Sequence, residues 1–157
     1  MIVKIMLLSA LWGATGVAAE EPTASPVFLA LSVPDLDASI AWYTEMLDLT
    51  ATRLPEAPQA KVALLRGNGL FVELIEHAQA FDLQTRVPEG EKRYLVHGLF
   101  KAGFFVQDLD ATVDRLERRG ARFKGEAFND PVARVRSILL LDNNDNVIQL
   151  FERIPDE

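Results

Sequence analysis

The strongest constraint on this chain is that it is written twice. The stretch Val33-Pro-Asp-Leu-Asp-Ala-Ser39 returns as Val106-Gln-Asp-Leu-Asp-Ala-Thr112, an offset of 73. Lys61-Val-Ala-Leu-Leu-Arg66 is matched by Ser137-Ile-Leu-Leu-Leu-Asp142, and Val72-Glu-Leu-Ile-Glu-His77 by Ile148-Gln-Leu-Phe-Glu-Arg153, both at an offset of 76. Three matches in one order and at nearly one spacing mark an internal duplication. Whatever one copy folds into, the other must fold into as well.

Hydrophobic period assigns the elements of each copy. Residues 28–33 and 100–106 are apolar and extended, so each unit opens with a strand. Asp35 or Asp37 then caps a helix with Ile40, Tyr43 and Leu47 on one side. In the second unit Asp108 or Asp110 takes that place, with Leu109, Val113 and Leu116 as the stripe. Arg118 and Arg119 suit the negative end of that helix, and Gly120 suits the left-handed residue that stops it. Three strands follow in each unit, near 49–54, 61–66 and 70–76, then near 121–126, 135–142 and 146–152. Gly67-Asn-Gly69 and Asp142-Asn-Asn-Asp-Asn146 are turn chemistry joining the last two. The second turn lacks the Gly at its sixth place and the Glu at its twelfth that an EF-hand calcium loop needs. The expected class is α+β, with the order βαβββ written twice.

The first 19 residues read as an address. Lys4 precedes an apolar run over 5–12, small residues follow, and Val17-Ala18-Ala19 before Glu20 suits signal peptidase. Residues 20–26 are then a linker and 27–153 the folded domain, with repeats at about 27–77 and 100–153. The expected location is secreted or periplasmic, with no membrane insertion once the leader is removed. Composition narrows the chemistry. With no Cys there is no disulfide, thiolate metal site or catalytic thiol. A formal charge of −7 without a basic stripe excludes a nucleic-acid partner. His77 and His97 are the only histidines.

The repeated strand followed by Asp-Leu-Asp and a helix, closed by a Glu-Leu or Gln-Leu strand after a Gly/Asn turn, resembles the vicinal oxygen chelate superfamily. Glyoxalase I, bleomycin-resistance proteins and extradiol dioxygenases belong to it. The resemblance covers residues 27–153 and implies one open, barrel-like sheet cavity shared by the two units, with the helices outside. It says little about the reaction, since one scaffold hosts many chemistries.

Strand alternation then selects what faces that cavity. Phe71, Glu73, Ile75 and His77 share one face of their strand, and Val147, Gln149, Phe151 and Arg153 share the corresponding one. The opening strands add Phe28, Ala30 and Ser32, then Lys101, Gly103 and Phe105. Phe28, Ser32, Phe71, Phe105, Gln149 and Phe151 are the candidate ligand-binding residues, a mostly apolar wall with few polar groups. The resemblance implies metal ligands at four matching positions, occupied here by Phe28, Glu73, Lys101 and Gln149. A phenyl ring cannot coordinate, and an ammonium repels a cation. No cofactor is therefore expected; if a divalent metal were held, its donors would be Glu73, Gln149 and His97. Instead Glu73 and Lys101 are the candidate catalytic pair, an ion pair at neighbouring corners of the cavity, with Lys101 meeting an anionic ligand group and Glu73 accepting a proton.

Three readings stay open. The first is a metal-free protein binding a small organic molecule. The second is a lyase, isomerase or dioxygenase-type enzyme using Glu73 as base or metal ligand. The third is a non-catalytic scaffold. A homodimer is compatible with each, and the long segment between 77 and 99 has the length of a lid over the cavity.

Overall fold

The computed structural model describes residues 27–86 and 97–155. The expected leader and linker, and the centre of the expected lid, lie outside the described residues. The first unit runs β1 (Val27–Ser32), α1 (Leu36–Leu47), β2 (Thr50–Arg53), β3 (Ala60–Gly67) and β4 (Leu70–His77). The second runs β5 (Ala102–Phe105), α2 (Leu109–Arg118), β6 (Arg122–Phe123), β7 (Phe128–Asp130), β8 (Val135–Leu141) and β9 (Val147–Arg153). Each makes its own sheet, in the order β1-β4-β3-β2 and β5-β9-β8-β6, with β7 also on β8. The opening strand lies parallel to the closing one, and the remaining pairs are antiparallel. The duplicated α+β architecture is present, as two separate sheets and no closed barrel.

Two details depart from the sequence reading. The single strand expected near 121–126 is split into β6 and β7, both on one edge of β8. Gly125 lies between them at φ +88°, a left-handed turn that breaks the extended run. The other departure concerns register. Leu64 opposes Glu73 while Leu139 opposes Gln149, so β3 maps onto β8 at an offset of 75, not 76. The longer second turn absorbs the extra residue. The slip matters because one position exchanges the two faces of a strand. At 75, Ala63 and Leu65 fall on Ile138 and Leu140, and all four are buried.

The helices are held at their starts by two carboxylates each. Asp35 accepts from the Ala38 N–H at 2.9 Å and Asp108 from the Ala111 N–H at 2.8 Å. From the closing strands, Glu76 accepts from the Leu36 N–H and Glu152 from the Leu109 N–H, satisfying further orphan donors of each first turn. Gly120, at φ +80°, ends α2 as expected. α1 ends instead on left-handed Asp48, which pairs with Arg119 at 2.8 Å and ties the two helix ends together.

One apolar core runs through both units on the helix side of the sheets. Leu36, Leu65, Leu74, Leu109, Leu116, Leu140 and Leu150 are fully buried, each worth about 2 kcal/mol of transfer free energy. Across the seam a polar clamp joins the units. The Tyr43 hydroxyl on α1 donates to Asp142 at 2.9 Å, and Asn143 and Asn144 both reach Ser39 Oγ at 3.1 Å. Burial, reinforced by the Asp142 carboxylate, pushes the Tyr43 phenol far above its usual value, so it remains a donor. Among the described residues no helix is long and apolar enough to cross a membrane.

The clamp and the helix-start carboxylates can each be tested. Tyr43→Phe removes one donor from a buried acceptor and is expected to cost about 1–3 kcal/mol, measured by urea unfolding; an unchanged midpoint would show the clamp to be idle. The second test concerns acid. The Lys61 ammonium, then the Leu36 N–H, hold the Glu76 carboxyl below its ordinary value of 4.5, and Arg136 does the same for Asp110. A depressed carboxyl stabilises the fold above its unfolded-state pKa and loses that contribution as pH falls through its folded value. Thermal midpoints should therefore drop on acidification below about pH 4.5, and Glu76→Gln should make that drop shallower.

Candidate functional site

The face of each sheet turned away from the helices carries the candidate residues, and strand register arranges them in rows. In the first unit Phe28, Phe71, Arg66 and Thr50 stand side by side across four strands. The next row is Ala30, Glu73, Leu64 and Thr52, and the third Ser32, Ile75 and Val62. The Phe28 and Phe71 rings meet edge to face at 5.2 Å, and the Arg66 guanidinium covers Phe71 at 4.2 Å from its centroid. Thr50, Thr52, Leu64 and Arg66 line a depression of about 350 Å³. In the second unit Gly103 stands beside Gln149 and Leu139, and Phe105 beside Phe151 and Ser137. Phe105 and Phe151 are 5.4 Å apart, and Arg153 covers Phe105 at 4.5 Å.

Gly103 makes this second row possible. A Cβ there would lie 2.7 Å from a Phe151 ring atom and 2.8 Å from the Gln149 carbonyl oxygen. The ring therefore lies in space that a side chain at 103 would fill. Gln149 is buried, 5% exposed, and donates from Nε2 to Ser137 Oγ at 2.9 Å. It is a fixed part of the wall.

Of the residues singled out from the sequence, the structure brings Phe28 against Phe71 and Phe105 against Phe151, with Gln149 beside Gly103. Ser32 is exposed at the end of the first unit's face, next to Ile75. Glu73 is half-buried between Ala30 and Leu64. Lys101 immediately precedes β5, on the side of Gly103 and Phe105 by alternation, and is exposed. The expected Glu73–Lys101 ion pair is not formed: among the described residues neither has a salt-bridge partner. The two belong to different sheets, and an exposed ammonium gains little from an ion pair over its hydration. His97 is exposed ahead of β5, and His77 accepts at Nδ1 from the Gln79 N–H at 3.1 Å.

The sequence reading missed Arg66, Arg153 and the threonines Thr50 and Thr52. The signal was available: Arg66 sits five residues before Phe71 across a tight Gly-Asn-Gly turn, which places the two opposite each other on one face.

The four positions that the sequence resemblance marks for metal ligands, Phe28, Glu73, Lys101 and Gln149, do not fit a divalent ion. They offer a ring, one carboxylate, an exposed ammonium and an amide engaged with Ser137. Among the described residues no three His, Asp or Glu side chains gather as ligands.

Two βαβββ-type units sharing one core, each with aromatic side chains on the face away from its helix, define the class of fold. The sequence matches the glyoxalase/bleomycin resistance protein/dioxygenase superfamily over residues 25–150, and the chain belongs to that superfamily. Among solved structures, a glyoxylase/bleomycin resistance protein/dioxygenase domain from Frankia sp. EAN1pec is 24% identical, with a TM-score of 0.64 over 82% of this chain and 90% of that one. A glyoxalase family protein from Enterococcus faecalis is 17% identical, with a TM-score of 0.63 over 83% of this chain and 98% of that one. TnmS3, an antibiotic binding protein from Streptomyces sp. CB03234, is 17% identical, with a TM-score of 0.58 over 85% of this chain and 99% of that one. At these identities the likeness is one of fold. Comparison with curated proteins gives no match.

Gly103→Ala should force the Phe151 ring aside, destabilising the protein by about 1–3 kcal/mol and altering the near-ultraviolet circular dichroism of the aromatic cluster. A variant with native stability and spectrum would show that the ring does not need the space.

Proposed function

We propose that this is an exported, metal-free binding protein for a small, partly apolar organic molecule, held on the aromatic faces of its two βαβββ units. The observation that carries the reading is the exposure of aromatic side chains on the face away from the core, with Phe28 at 55% and Phe105 at 52%. Large apolar groups left in water on one face mark a surface that is covered when the protein works. Glu73 and Gln149 supply polarity within that face, and Lys101 stands at its margin. The likeness in fold to TnmS3, described as an antibiotic binding protein, supports the same reading. Its metal-free character rests on the donor set, and export rests on the leader sequence ending at Ala19.

A second reading has one observation in its favour. Glu73 is half-buried without a cationic partner among the described residues, the state of a carboxylate available as a base to a bound substrate. The protein would then be an isomerase or lyase on the same face. A homodimer is compatible with either, because a second copy would cover the exposed rings.

Native mass spectrometry of protein recovered from the exported fraction tests these statements together. The expected species begins at Glu20 and carries a co-purified organic molecule that Lys101→Met or Glu73→Gln releases more readily. Near-stoichiometric Zn, Ni, Mn or Fe, lost in Glu73→Gln, would overturn the metal-free reading. The same spectrum gives the subunit number.

A further inference from the structure

Arg66 differs from most arginines of the described fold. Arg53, Arg119, Arg122 and Arg136 each pair with an aspartate, whereas Arg66 has no carboxylate partner among the described residues. Its guanidinium lies over the Phe71 ring, itself packed on Phe28. Held against the ring, the guanidinium has no hydrogen-bond partner among the described residues, and its N–H fork can receive a carboxylate bidentately. The side chain is exposed, so this fork is open to a ligand.

The neighbours complete a receptor. Thr50 stands opposite Arg66 and Thr52 opposite Leu64, so two hydroxyls and an apolar floor share the 350 Å³ depression with the guanidinium. Glu73 stands across Leu64 from Thr52, one row further along the strands. Adjacent rows are two residues apart, about 7 Å, or roughly the span of one substituted ring. A planar ligand with its carboxylate on Arg66 and Thr50 and its ring over Leu64 would bring its far end to Glu73. An acceptor there selects a hydroxyl or amino group and opposes a second negative charge.

The second stack, Arg153 over Phe105 beside Phe151, does not sit at the matching place. Arg153 aligns with His77 and Phe105 with Ser32, so the duplication did not copy the motif from one unit to the other. Nor do the strands around it, from Ala121 onward, carry a threonine to match Thr50 and Thr52.

We propose that the open face of the first unit is a receptor for aromatic monocarboxylates carrying a hydrogen-bond donor at the opposite end of the ring, with Arg66 binding the carboxylate and Glu73 the donor. This rests on the reading of that face as a small-molecule site and names the ligand class. It also moves the anion-binding role from Lys101 to Arg66.

The test is titration of the whole protein with four single-ring probes of similar size: 4-hydroxybenzoate, benzoate, benzamide and benzylamine. Binding is followed by calorimetry and by amide chemical shifts of β2, β3 and β4. The expected result is saturable binding of 4-hydroxybenzoate, with benzamide and benzylamine at least tenfold weaker. Arg66→Met, which keeps the aliphatic stem over Phe71, should weaken both carboxylates at least tenfold, and Arg66→Lys should recover only part of the loss. Arg118→Met, at an exposed position on α2 away from the sheet faces, should leave both unchanged. Glu73→Gln should weaken 4-hydroxybenzoate several-fold relative to benzoate. Equal binding of benzoate and benzamide, or an Arg66→Met protein of native circular dichroism that binds benzoate unchanged, would overturn the proposal. Shifts on β2–β4 produced by benzamide or benzylamine but not by the carboxylates would overturn it while leaving the broader small-molecule reading standing. Silence from all four probes would count against both.

Discussion

Asp142 is a carboxylate with no exposed surface, and the joining of the two units depends on how it is satisfied. A buried carboxylate costs several kcal/mol unless its oxygens are fully hydrogen-bonded. Its own turn supplies three donors, the backbone N–H groups of Asn144 and Asn146 and the Asn146 side-chain amide. The remaining donor is the Tyr43 hydroxyl, which belongs to the other unit. The β8–β9 turn therefore reaches its fully bonded state only when α1 is docked on it. Apolar burial along the seam supplies most of the attraction, but it is non-directional. The Tyr43–Asp142 bond selects one rotation of unit on unit, because any other leaves a buried oxygen short of a partner.

The polar groups that hold the fold lie on the helix side or at strand ends. Glu76 and Glu152 bind helix starts, Arg119 and Asp48 bind helix ends, and Asp142 binds the seam. Apart from the Gln149–Ser137 bond, few of these ties occupy the opposite faces of the sheets. Those faces carry few polar structural ties, and apart from Gly103 and the Gln149–Ser137 pair their residues can change with little loss of stability. That is why duplicated positions there have drifted so far apart: Phe28 aligns with Lys101, Ser32 with Phe105, and His77 with Arg153. Helix-side partners such as Leu36 and Leu109, or Leu74 and Leu150, have stayed alike because both copies bury them.

This division also explains what can and cannot be read from the sequence. Repeat, caps and closing strands are legible because each rests on local chemistry: Asp35 and Asp108 cap within three residues, and strand alternation needs only neighbours. The β6–β7 break escapes because a single glycine, Gly125, decides it. The register of β8 comes out one residue wrong because Ile138, Leu139, Leu140 and Leu141 are all apolar, so periodicity lets either face be the buried one. Only pairing with β9, whose Gln149 and Phe151 alternate with Ile148 and Leu150, resolves it. The Tyr43–Asp142 bond spans 99 positions, beyond any pattern of spacing.

The choice of cation at the site turns on the same physics. An ammonium is a strongly hydrated point charge, and Lys101 at the margin of its strand keeps that hydration, with no ring or carboxylate among the described residues to draw it inward. A guanidinium is weakly hydrated on its flat faces, so Arg66 can place one face on Phe71 and still present its donors. The aromatic neighbours orient the charge without neutralising it, which a carboxylate partner would do. An arginine held this way has lost much of its side-chain freedom before any ligand arrives, so less ordering remains to oppose binding. On an open face, where water competes for every polar contact, that preorganisation separates a cation able to bind an anion from one that merely adds charge to the surface.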